Sequence, residues 1–152
     1  MTAKPVYVLN GPNLNLLGIR EPHIYGSTTL DDIEAMCRDK AAALGMPIEF
    51  RQSNSEGTLV DWIHEAIKGG AGIVINPAGY SFHSVPILDA LKVFRWPIIE
   101  LHISNIHKRE AIYHRSYVSY AATAVIAGLG AAGYPVALDC IAQMLNQGEP
   151  GR

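Results

Sequence analysis

Residues 10 to 29 of the chain read NGPNLNLLGIREPHIYGSTT, which places three asparagines, an arginine, a histidine and a tyrosine between glycines and prolines. The stretch is longer than the roughly 2–6 residues usual between a strand and a helix. The chemistry its side chains offer near pH 7 is proton transfer. A free tyrosine has a pKa of about 10, so making Tyr25 a base at pH 7 costs about 4 kcal/mol at 1.36 kcal/mol per unit. One neighbouring cation commonly shifts a pKa by about 1–3 units, and Arg20 precedes Tyr25 in the same loop. A loop folding over a crevice, with Gly18 and Gly26 as hinges, would bring both groups to a substrate and exclude water. The other reading is plainer: Tyr25 packs as a lid residue and Arg20 is a solvated charge.

A second proton-transfer group lies in the apolar run PIIELHIS. Its residues alternate, so Glu100, His102 and Ser104 share one face of a strand. A histidine oriented by a carboxylate at the end of a strand is a common arrangement for a general acid. A satisfied core histidine is the competing reading. His102 and His107 beside Glu100 match metal-ligand spacing only weakly, and no metal is expected.

Other chemistries find no support. No G-x-G-x-x-G follows the first apolar run and no G-x-x-x-x-G-K-[ST] occurs, so a glycine-rich nucleotide loop is not indicated. No G-x-S-x-G elbow is present. An aspartate ending the third strand, which a response regulator needs, is replaced by Asn76. With a net charge of −2 and a pI near 6.3, the chain lacks a basic footprint for nucleic acid. No apolar run reaches the roughly 18 residues of a membrane helix, and MTAKPVYVLN lacks a secretory h-region. Cys37 and Cys140 fall in helix-like apolar patterns and read as reduced and buried. The 152 residues, 49% of them hydrophobic, suit one domain over 1–152 with a real core. A cytoplasmic, soluble protein is the expectation.

The elements that must position these groups alternate between strand and helix, the mark of a parallel α/β sheet. Strands are predicted at about Val6 to Leu9, Pro47 to Arg51, GIVIN, the run from Pro97, and Ala124 to Gly128. Helices are predicted at Leu30 to Leu44, Glu56 to Lys68, Val85 to Phe94 and Ala132 to Leu145, the first with Thr29 and Asp32 as a capping box. Five such strands most commonly adopt the flavodoxin-like order 2-1-3-4-5, a three-layer sandwich that binds ligands beyond the carboxyl ends of strands one and three. Asn10 to Asn13, Asn76, and Glu100 through His107 therefore converge on one crevice.

The stretches LNGPNLNLLGIREPHIYGSTTL, IVINPAGYS, ELHISNIHKRE and AGLGAAGY, in this order and spacing, resemble the type II 3-dehydroquinate dehydratases over nearly the whole chain. The resemblance implies the same flavodoxin-like fold and a hydro-lyase that removes water from 3-dehydroquinate by anti elimination through an enolate, with no cofactor. It implies that Tyr25 is the base, that Arg20 favours its ionised form, and that His102 protonates the departing hydroxyl with Glu100 behind it. Asn13 would position the water that stabilises the enolate oxygen. Asn76 and the backbone amides of Ile103 and Ser104 would hold the substrate carboxylate. Asp89 would reach the site of a neighbouring subunit in a dodecamer built from trimers.

Two positions depart from the family pattern. The loop usually written N-P-G-A-Y-T-H-T-S reads NPAGYSFHS here, with Phe82 at the histidine position and His83 one step later. Tyr113 stands where the family commonly has an arginine, and Arg115 follows two residues on. In the family that histidine and arginine read the two ring hydroxyls remote from the carboxylate. A buried group left without its hydrogen bond costs about 1–3 kcal/mol. The expectation is a 3-dehydroquinate dehydratase in which His83 and Tyr113 are the open substrate contacts. The alternatives are a paralogue eliminating water from a related cyclic hydroxy-keto acid, or a non-catalytic protein of the same fold.

Overall fold

The structure, a computed structural model, describes residues 3–19 and 21–148, without the side chains of residues 24 and 25. Five parallel strands form one sheet in the order β2-β1-β3-β4-β5. They are β1 (Val6–Asn10), β2 (Ile48–Gln52), β3 (Gly72–Asn76), β4 (Ile98–His102) and β5 (Ala124–Ala127). The helices are α1 (Pro22–Tyr25), α2 (Leu30–Leu44), α3 (Glu56–Gly69), α4 (Val85–Val93) and α5 (Gly133–Asn146). Strand order and the four long helices follow the sequence expectation, and α2 has the expected bounds.

Local chemistry explains those bounds. Thr29 and Asp32 close a reciprocal capping box at the start of α2, and Gly45 ends the helix at φ 66°. Ser55 caps α3 and Ser84 caps α4, each accepting a backbone N–H three residues on. The departures lie where strands hand over to turns: β4 stops at His102, so Ser104 falls beyond the ladder. The short helix α1 was not anticipated, and residues after β4 fold into successive 3-10 turns at Ile106–Lys108, Ala111–Tyr113 and Val118–Tyr120.

The central strands β1, β3 and β4 are buried throughout, while the edges β2 and β5 are only partly covered. Alternation sends Val6, Val8, Val74, Ile99 and Leu101 to the side of α2 and α5, among Ile33, Cys37, Leu138 and Ile141. Tyr7, Leu9, Ile73, Ile75 and Ile98 face α3 and α4, against Leu59, Ile63, Ile87, Leu91 and Phe94. Burying each large aliphatic chain contributes about 1.5–3 kcal/mol, which fixes the register. Asn10 thereby pairs with Asn76 across β1 and β3, and Ile75 with Glu100 across β3 and β4. Cys37 is buried, Cys140 is half-buried, and both are free. Burial pushes the Cys37 thiol up to about 12, so it is no nucleophile at neutral pH. Among the described residues no helix is long and apolar enough to cross a membrane.

Candidate active site

The carboxyl ends of β1, β3 and β4 open onto a cavity of about 130 Å³. Backbone contact brings the first two ends together. The Gly11 amide donates to the Asn76 carbonyl at 2.8 Å, and a β-carbon on Gly11 would lie 2.4 Å from the Pro77 carbonyl oxygen. Only glycine fits there. Asn13 follows in the left-handed region at φ 69°, and its amide donates to the Asn54 side-chain oxygen at 3.0 Å.

Asn76 is almost fully buried and fixed from two sides. Its amide nitrogen donates to the Tyr134 hydroxyl at 3.1 Å, and its oxygen accepts from the Ala78 N–H at 3.2 Å. The Tyr134 hydroxyl in turn donates to Asn10 at 2.7 Å, and Asn10 donates to the Arg51 carbonyl at 3.0 Å. Burial raises the Tyr134 pKa well above its ordinary value, so it stays a neutral bridge. The Asn76 amide carries two hydrogens, and Tyr134 uses one of them. The other is available to an anionic ligand. Ala78, a non-glycine residue at φ 52°, makes the turn that follows.

On β4, Glu100 is fully buried and His102 nearly so. His102 Nε2 and Glu100 Oε2 share a hydrogen bond. The Ser119 hydroxyl donates to the other carboxylate oxygen at 2.5 Å. Burial alone would raise the Glu100 carboxyl. The hydrogen bond and charge of His102, then Ser119, outweigh it and hold the group below its ordinary range. Glu100 does not itself line the cavity. It holds His102 through Nε2, and His102 lines the cavity. A buried carboxylate that fixes the orientation of the ring equips a histidine to deliver a proton.

One wall of the crevice is aromatic. Phe82 and Tyr113 meet edge to face at 5.3 Å, and Phe82 stacks over His102 at 6.1 Å and 26°. The Arg109 guanidinium lies 3.9 Å above the Tyr113 ring. Phe82, Tyr113 and Arg109 line the cavity together with Asn13, Asn76, His102, Ile103 and Ser104.

His83 is not in the crevice. The 3-10 turn Ala78–Phe82 ends at His83 with φ −155° and ψ −4°, which leaves the ring exposed and edge-on to Tyr80 at 5.5 Å. Arg115 is also elsewhere: it donates to the Tyr120 hydroxyl at 3.2 Å, in a separate groove with His114 and Ser119. Neither therefore lines the crevice beside Phe82 and Tyr113. Asp89 is exposed on α4 and away from the cavity lining. His107 is exposed beside His114, and among the described residues no group of three metal-binding side chains forms. Arg20 and the Tyr25 side chain lie outside the described residues.

Sequence reasoning missed Arg109 and Tyr134. Arg109 stands in a charged run, HKRE, that resembles any solvated surface. Tyr134 follows GLGAAG, a glycine pattern whose place after β5 has a packing explanation: at Gly128 (φ 93°) a β-carbon would lie 3.1 Å from that of Asn105.

Comparison with known proteins agrees with this architecture. The family described as dehydroquinase class II matches residues 4–142. A 3-dehydroquinate dehydratase of Streptomyces avermitilis is 58% identical over 145 residues, covering 95% of this chain and 91% of the relative. One from Methylobacterium radiotolerans is 56% identical, covering 95% and 97%. Among solved structures, a type II dehydroquinase from Propionibacterium acnes superposes with a TM-score of 0.90 at 47% identity, covering 93% of this chain and 98% of that one. A 3-dehydroquinate dehydratase-like protein from Bifidobacterium longum gives 0.72 at 31% identity, covering 94% and 98%.

Proposed function

Because the chain belongs to the class II dehydroquinase family, we propose that it removes water from 3-dehydroquinate to give 3-dehydroshikimate, by anti elimination through an enolate and without a cofactor. The observation that carries this reading is the buried Glu100–His102 pair opening onto a crevice whose other polar groups come from two further strand ends.

The reaction needs three things. A base must take the proton next to the ketone, and Tyr25 is assigned that role with Arg20 favouring its ionised form. The enolate oxygen must be stabilised, here by a water held at Asn13, because donors aimed at developing charge are worth most where bulk water is excluded. The departing hydroxyl must be protonated, since hydroxide is a poor leaving group. His102 supplies that proton, with Glu100 orienting the ring. The second hydrogen of the Asn76 amide, with the backbone amides of Ile103 and Ser104, takes the substrate carboxylate and sets the ring in place.

The chain is read as a single cytoplasmic domain that assembles into a dodecamer of trimers, with Asp89 reaching a neighbour's site. Exposed Val85 and Val93 on the same helix as Asp89, and Val125 on the edge strand β5, support the covering of those faces. The same elimination serves aromatic amino-acid biosynthesis and quinate breakdown.

The test follows the absorbance of the conjugated enone product after adding 3-dehydroquinate to purified protein. Turnover is expected, with kcat lower by about 10²–10⁴ in Tyr25→Phe, the range for loss of general acid–base catalysis. Well-folded protein that forms no enone would refute the assignment.

A further inference from the structure

Phe82 and Tyr113 sit on separate 3-10 turns, Ala78–Phe82 and Ala111–Tyr113, yet their rings touch at 5.3 Å inside the crevice. Each is held from its other side: Phe82 by the His102 ring and Tyr113 by the Arg109 guanidinium. The two side chains therefore act as one surface, placed against the catalytic histidine. The nearest histidine and arginine in sequence, His83 and Arg115, make their contacts with Tyr80 and Tyr120 outside the cavity. Asn13, Asn76, His102, Ser104 and Arg109 supply the polar lining of the crevice, and Phe82 and Tyr113 its aromatic lining.

We propose, on the elimination assigned above, that Phe82 and Tyr113 form a single aromatic wall that leaves the ring hydroxyls remote from the carboxylate unread. This chain then also dehydrates cyclic β-hydroxy keto acids lacking one or both of those hydroxyls. The bond changes are those of the assigned reaction. A proton leaves the carbon next to the ketone, the hydroxyl β to the ketone leaves as water, and a carbon–carbon double bond forms. The remote hydroxyls take no part in them.

The magnitude of discrimination separates a wall from a reader. A site built to hydrogen-bond a substrate hydroxyl rejects the analogue lacking it by about 10⁴–10⁵, whereas an apolar pocket distinguishes a hydroxyl by only about 10². The experiment compares kcat/KM for 3-dehydroquinate with kcat/KM for its two monodeoxy analogues and the dideoxy analogue, in which hydrogen replaces the remote hydroxyls. For the wild type the ratio to each analogue is expected within about tenfold of unity, or in favour of the analogue by up to about 10². A preference for 3-dehydroquinate of about 10³ or more would overturn the wall.

Two variants refine the result. Phe82→His combined with Tyr113→Arg is expected to raise the ratio toward 3-dehydroquinate by at least about tenfold, and an unchanged ratio in folded protein counts against the proposal. Tyr113→Phe tests whether the phenol itself reads a hydroxyl. The ratio is expected to stay within about threefold, and a tenfold fall would overturn the proposal. The wild-type ratio decides even if the double variant fails to fold. Turnover of none of the four compounds would instead refute the assigned elimination, and the wall with it.

Discussion

The two ends of the crevice are built differently. At the strand-tip end, Asn76 and His102 close buried strands; Asn76 is tied through Tyr134 to Asn10, and His102 through Glu100 to Ser119. At the aromatic end, Phe82 and Tyr113 ride on three- to five-residue turns and are fixed by the rings and guanidinium around them. Groups that exchange protons must hold position to a fraction of an ångström, and rigid elements with hydrogen-bonded support provide that. A wall only has to fill space. Turns are the parts of a fold that tolerate change, so substrate range can shift at the aromatic end while the proton-transfer groups stay where the sheet holds them.

The sharpest way to break this contrast is at Glu100. Glu100→Gln is expected to lower kcat by about 10–100-fold, part of the 10²–10⁴ that general acid catalysis supplies, with a smaller change in KM. The substitution also predicts an acid limb. The folded Glu100 carboxyl titrates below its ordinary value of 4.5. Its ionised form therefore adds stability that is complete above about pH 4.5 and is lost as the pH falls through the folded value. Urea melts of the wild type should lose stability more steeply below that pH than those of Glu100→Gln. Equal slopes would mean that the pair with His102 does not hold the carboxylate ionised.

The same chemical edit made at both ends measures the difference more finely. Tyr134→Phe strips the bridge between Asn10 and Asn76, and stranding those buried groups should cost about 1–3 kcal/mol of stability and raise KM more than it lowers kcat. Tyr113→Phe should change stability by no more than about 0.5 kcal/mol. Matching losses in denaturant melts would erase the distinction between the ends. An effect of opposite sign is expected at Ala78, whose φ of 52° is unfavourable for a residue with a β-carbon by about 1–2 kcal/mol. Ala78→Gly should recover part of that, offset by the entropy of glycine, and raise Tm by about 2–4 °C. A lower Tm would show that the turn is not strained.

Most of the sheet was legible because buried parallel strands announce themselves. GIVIN is apolar up to its terminal Asn76, and alternation in IIELHIS already put Glu100 and His102 on one face. The capping pair Thr29 and Asp32 fixed the start of α2 for a local reason that needs no tertiary context. The side of the turn on which Phe82 and His83 would lie was not legible. It depends on the phase of a 3-10 turn, and one residue of phase exchanges the side chain inside the crevice for the one outside. Tyr134 stayed hidden because its helix face reads as plain core, and only the assembled sheet shows two asparagines waiting for its hydroxyl. Arg109 was concealed by its charged neighbours.

The Asn10–Tyr134 hydrogen bond spans 124 positions, and this separation bears on how the chain is made. Synthesis delivers β1, β3 and β4 long before Tyr134 emerges, and translation at about 5–20 residues per second leaves an interval of several seconds. Until Tyr134 has been made, the group that joins Asn10 to Asn76 in the folded chain is missing. A chain cut short before Tyr134 would carry every residue assigned to the reaction, yet lack the bridge that sets Asn76 in place. The hydroxyl of one late tyrosine thus ties the competence of the site to a residue 124 positions from its partner on the first strand.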